Sequence, residues 1–143
     1  MPSKAEQVAQ RVVTVLAAAN TGAIAVVRDR LDALTRTESP VILVELQGED
    51  SDSFSNSPEL DQDLLTFGVC VCVRSDDWQT VADAVRVQAH AQLVADGGLK
   101  LLLATSLRRT KSDWRAADTD VPFGSINQLY QCKYLTRNAG LDL

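Results

Sequence analysis

The sequence predicts an α+β fold, a mostly antiparallel sheet with two helices packed on one face. Three observations carry that expectation. Two segments, residues 4–19 and 74–98, repeat apolar side chains at helical spacing. Several β-branched runs, above all LLTFGVCVCV at 64–73, alternate with period two. Turn-forming residues separate these segments and give the order α-β-β-β-α-β-β. At 143 residues, 45% apolar and 23% charged, the chain suits one globular domain spanning 1–143.

The first helix opens on Ser3 with Glu6 three residues on, the spacing of a capping box. Ala5, Val8, Ala9, Val12, Leu16 and Ala19 then form its apolar stripe, and Asn20-Thr21-Gly22 ends it. AIAVV (23–27) reads as a short strand, followed by a polar connection over 28–39 anchored by Leu31 and Leu34. Pro40 opens the strand VILVELQG. In 64–73, Leu65, Phe67, Val69, Val71 and Val73 share one face, with Gly68, Cys70 and Cys72 on the other. Apolar residues on both faces predict a central strand covered on both sides. Asp76 and Gln79 suggest a cap for the second helix, whose stripe is Trp78, Val81, Ala82, Val85, Ala89 and Leu93 and whose stop is Gly97. Leu99–Leu103 is an apolar turn, 104–116 alternates as a strand, 117–125 reads as a turn, and 126–137 is the closing strand.

Between the two strongest strands lies GEDSDSFSNSPELDQD (48–63), with six carboxylates and no base. The formal charge of the whole chain is −5, so this segment accounts for the imbalance; the rest is near neutral. A 16-residue connection without structure of its own is unusual in a compact domain. It reads as an acidic loop, mobile in the free subunit because six mutually repelling carboxylates have few apolar anchors. Arg108, Arg109, Lys111 and Arg115 form the one basic cluster. Alternation places Arg109, Lys111 and Arg115 on one strand face. That is either a solvated sheet face or a positive surface for another chain's acidic segment. Asp50, Asp52, Glu59, Asp61 and Asp63 with Arg109, Lys111 and Arg115 are therefore the candidate subunit interface.

The residues that chemistry needs are sparse. With one histidine, His90, no nucleophile–base arrangement has a local signature, and the adjacent Gly97 and Gly98 follow a helix instead of opening a phosphate cradle. Asp50-Ser51-Asp52 lacks the glycine and terminal glutamate of an EF-hand. Cys70 and Cys72, two apart on a strand, read as small apolar fillers without metal or disulfide. No enzyme, cofactor or metal is expected. No apolar run reaches membrane-spanning length, the polar N-terminus suggests a cytosolic protein, and the charge balance disfavours a nucleic-acid binder.

The order of features, with NTGA closing the first helix, SPVILVELQG before the acidic segment, LVADGGLKLL closing the second helix and SINQLYQCKYLTR at the end, resembles the tail terminator family of long-tailed phages, the lambda-type minor tail protein U. The resemblance runs from about residue 4 to 137. It implies a non-enzymatic structural protein: a ring, a hexamer in that family, that caps the tail tube, stops its polymerisation and presents a face to a head-completion protein. It further implies partners in the tail tube protein and in copies of itself, and a place in the virion tail after assembly in the host cytoplasm. The basic strand at 108–115 and the terminal NAGLDL have no counterpart in that resemblance. Rival readings are a related head–tail joining or tail-completion protein and, more distantly, a small metal-dependent enzyme.

Overall fold

The computed structural model describes residues 2–28, 39–54, 57–117 and 122–142. Among them the chain forms α1 (Lys4–Ala18), β1 (Ala25–Arg28), β2 (Val41–Phe54), β3 (Ser57–Val73), α2 (Trp78–Ala95), α3 (Gly97–Leu102), β4 (Arg108–Ala117) and β5 (Phe123–Arg137). The five strands make one mixed sheet in the order β1-β2-β3-β5-β4. The β1–β2 pair is parallel and the other three pairs are antiparallel. The α+β class and the order of elements follow the sequence, with α3 added where only an apolar turn was expected. Most of the connection at 28–39, with Leu31 and Leu34, lies outside the described residues, as do residues 118–121 of the expected turn. β5 begins at Phe123, three residues before its expected start.

Both long helices lie on one face of the sheet. Val8, Ala9, Val12 and Leu16 of α1 are buried, as are Trp78, Ala82, Val85, Ala89 and Leu93 of α2, each set forming one stripe along its helix. They meet Leu65, Phe67, Val69, Val71 and Val73 of β3, and Ile126, Tyr130, Cys132 and Tyr134 of β5, all at most 1% exposed. Each such aliphatic or aromatic side chain contributes roughly 1.5–3 kcal/mol by leaving water. Phe67 stacks on Tyr130 with ring centroids 5.4 Å apart. At Gly124 a Cβ would sit 2.0 Å from the Trp78 ring, so the indole packs directly on bare backbone there. On the opposite, open face, Val41 and Cys72 are buried with Val27, Leu43, Cys70 and Phe123 around them. The Cys70 and Cys72 sulfurs lie 3.7 Å apart as free thiols.

Polar contacts fix the helices' ends. Ser3 caps α1 by accepting the Glu6 amide at 3.2 Å. The Glu6 carboxylate instead takes two hydrogen bonds from Arg28 at 2.6 and 3.1 Å, which tie α1 to β1 and hold that carboxyl below its usual range. Arg11 clamps Asp96 through two 2.8 Å hydrogen bonds while Asp96 accepts the Leu99 amide as the cap of α3. Arg11 is the main reason the Asp96 carboxyl is held below its usual range. The expected cap at Asp76 and Gln79 is not formed: α2 begins at Trp78 behind Asp77, whose side chain makes no capping bond.

Candidate functional site: two sheet edges of opposite charge

The acidic segment is not a loop. Residues 48–54 belong to β2 and 57–63 to β3, paired from Gly48↔Thr66 to Phe54↔Ser57, with only the residues at the tip outside the described set. β5 continues the ladder on the far side of β3 as far as Leu60↔Arg137. The sheet therefore extends past the helices as an acidic three-stranded ribbon. Strand periodicity was hidden because polar residues occupy both faces here, which removes the apolar alternation that marks a half-buried strand.

The pairing sorts the acids. Asp50 and Asp52 lie on the open face, opposite Leu64 and Gln62; Asp61 and Asp63 lie on the helix face, opposite Thr136 and Tyr134. Asp50, Asp52 and Glu59 are exposed and Asp61 is partly so. Asp63 is different. It is 1% exposed, and Thr136 Oγ1, itself buried, donates to its Oδ2 at 2.8 Å. Its other oxygen has no hydrogen-bonding partner among the described atoms. As an exposed interface acid Asp63 is thus ruled out in the free chain. Its neighbour Tyr134 donates to Glu49, and burial followed by that bond raises the phenol's pKa.

β4 is the basic counterpart and an edge of the sheet. A bulge sits between Arg109 and Lys111: Arg109 pairs with Tyr130, Lys111 with Leu129. The extra residue moves Arg109 to the helix face while Lys111 and Arg115 stay on the open face, so the three do not share a face as simple alternation implied. A bulge with Lys and Arg beside it is also how sheet edges resist non-specific pairing. Lys111 pairs with Asp113 at 3.3 Å on an exposed surface, an interaction of small net value. Arg115 is exposed.

Arg109 joins a cluster that sequence spacing did not disclose. It donates to Ser112 at 2.7 Å and lines a hollow of about 220 Å³ with Arg86, Val87, His90 and Gln128. Arg86 is held by Asp83 at 2.6 Å and Gln128 at 3.2 Å, and it lies 5.0 Å from the centre of the exposed Trp114 ring. His90 Nδ1 is 2.9 Å from the Tyr130 hydroxyl. Burial pushes that phenol to about 12. Burial, then the charges of Arg109 and Arg86, lower the His90 pKa.

Two residues outside the sequence-based candidate set stand out by position. Leu46 and Trp114 are exposed, 36% and 44%, and each lies on the helix face of a strand edge that has no strand on its outer side among the described residues, opposite Phe67 and Ile126 respectively. Among the described residues no group of three or more His, Cys, Asp or Glu is arranged to hold a metal, and no helix is long and apolar enough to cross a membrane. Among the described residues the arrangement is one of surfaces: an acidic strand partnered on one side only beyond Val44, and a basic edge strand on the other side of the sheet.

The fold is similar to that of a chain in the virion of a native gene transfer agent particle, with a TM-score of 0.59 at 14% identity, covering 87% of this chain and 91% of that chain. No protein-family model and no curated protein sequence matches the chain. What the likeness establishes is a shared α+β fold over nearly the full length of both chains.

Proposed function

We propose that this protein is a non-enzymatic structural component of a phage or phage-like virion, a tail terminator that caps the tail tube as a ring and presents a surface for head joining. The observation that supports the reading is the likeness of fold, over most of both chains, to a chain in a gene transfer agent virion. The order of elements that resembles tail terminators supports the finer assignment. So does a surface whose prominent features are two strand edges of opposite charge instead of a cleft with convergent acids, bases and nucleophiles. In this reading the partners are further copies of the chain, six to a ring, the tail tube protein and a head-completion protein.

Light scattering across protein concentration tests the ring, and electron microscopy with preformed tail tubes tests the capping. A mass near six times 15.5 kDa and density confined to tube ends are expected. A monomer at every concentration that leaves tube ends bare would sink the proposal. Binding to head connectors with no affinity for tubes would move it to a head–tail joining role.

A further inference from the structure

We infer that neighbouring copies join by strand addition, with β4 of one chain pairing antiparallel to the outer edge of β2 residues 45–52 of the next. The inference rests on the ring reading and specifies its contact. β1 pairs only with Val41–Val44, so β2 from Glu45 onward has no strand on its outer side among the described residues, and its residues 45–54 are all exposed. β4 has none on its outer side either. In the order of the sheet the two strands run in opposite directions, so a copy added at the edge continues the antiparallel pattern.

The faces set the register. Within the stretches that would pair, β2 from Glu45 to Asp52 has one bulged position, Gln47, and β4 has one, Thr110. Counting the remaining residues by face, one alignment places Arg115 opposite Glu45, Lys111 opposite Asp50 and Arg108 opposite Asp52, all on the open face. The same alignment sets Trp114 opposite Leu46 on the helix face, covering two exposed apolar side chains with each other. Asp113 then faces Gly48. A two-residue slip either way keeps the faces but puts Asp113 against Asp50 or Glu45, and like charges directly opposite are destabilising. The ladder ends at Arg115, because β1 occupies the edge beyond Glu45.

The stagger is that of a closing sheet. Within one chain Ser112 lies level with Gln128, Val69 and Val44. Across the junction it faces Glu49, a shift of about four positions or ~13 Å along the strand. Over four strands ~4.8 Å apart this is a tilt of roughly 35°, within the range of closed barrels. Repetition of the contact with this stagger is compatible with a closed ring.

Cysteine pairs test the register. Wild type is the control for the native thiols. Lys111→Cys with Asp50→Cys in one chain should give a ladder of disulfide-linked oligomers under mild copper–phenanthroline oxidation, and Lys111→Cys with Asp52→Cys should not. Lys111→Glu should raise the concentration for half-assembly roughly tenfold or more, and adding Asp50→Lys should restore it. All these positions are exposed or half-paired at the surface, and circular dichroism checks that each variant is folded. A ring that assembles without the 111–50 ladder, or a charge swap that fails to rescue, overturns the strand addition while leaving the ring. A monomer throughout overturns both.

Discussion

The two halves of β2 are continuous in backbone and opposite in physics. Val41, Ile42 and Val44 are at most 1% exposed, Ile42 and Val44 in the core under the helices and Val41 in the small apolar cluster of the open face, whereas every residue from Glu45 to Phe54 is exposed. The first half is held by apolar burial, the second by a hydrogen-bonded ladder and little else. A two-sided polar strand survives here because β3 and β5 flank it on one side in register. Apart from Glu49, which accepts from Tyr134, and the local bond from the Ser53 amide to Asp52, the exposed half leaves its acids and two large apolar side chains at the surface. What stabilises the molecule and what it offers to others are thus separated along single strands.

The strongest way to break that contrast is to remove one side chain from the core that β3 builds beside β2 and one from the exposed half of β2. Phe67→Ala should cost about 3–5 kcal/mol, because the ring is fully buried and stacked on Tyr130. Phe54→Ala, at 36% exposure, should cost under about 1 kcal/mol. Urea unfolding of the monomer measures both. Similar costs would mean that the ribbon is packed against something on which the fold depends.

Thr136→Val sharpens the comparison at the one place where the ribbon is buried. It removes the one donor that reaches Asp63 among the described residues and keeps the shape, so about 1–3 kcal/mol should be lost at neutral pH. If the loss is negligible, the carboxylate has another source of hydrogen bonds and the ribbon has no polar anchor at this point.

How much of this was legible follows from the same contrast. α1, α2 and the buried parts of β3 and β5 were readable because Val8–Leu16, Trp78–Leu93, Leu65–Val73 and Ile126–Tyr134 carry their period in apolar side chains. The ribbon was not, since alternation between Asp, Ser and Gln carries no burial signal. α3 was missed because six residues are too few for a helical period to emerge. Simple alternation puts Arg109 on one face with Lys111 and Arg115, whereas a bulge shifts alternation by one, and only pairing reveals it. Asp63 looked like its neighbours in sequence, and only the register with Tyr134 and the bond to Thr136 distinguish it.

A smaller effect is expected from pH at the α2–β5 contact. The His90 pKa in the fold lies below its ordinary 6.5, so the unfolded chain binds more protons as pH falls through that value. The stability His90 contributes is therefore present above about pH 6.5 and lost below it, until the folded imidazole itself titrates. His90→Gln should flatten that part of the stability curve while the acid limb from Glu6 and Asp96, both lowered by arginine partners, persists at lower pH. An unchanged slope between pH 5 and 7 would show that His90 is equally accessible to protons in both states.

The smallest expected change is in the ribbon itself. Asp50→Asn with Asp52→Asn should move monomer stability by no more than about 0.5 kcal/mol in either direction. Both side chains are exposed on the open face two residues apart, so neutralising them relieves mutual repulsion. Against that stands the loss of charge on Asp52, whose Oδ1 accepts the Ser53 amide at 2.8 Å; an asparagine oxygen retains that bond in weaker form. The two terms oppose each other and are each small. The same variant should assemble more weakly, since Lys111 and Arg108 of the next copy lose their charged partners. Amide exchange over 48–54 should be faster than over 41–44 in both proteins, because no apolar cover slows opening there. If the double variant instead loses more than about 1 kcal/mol as a monomer, the acids hold the ribbon's own structure, and their charge is not available to a partner.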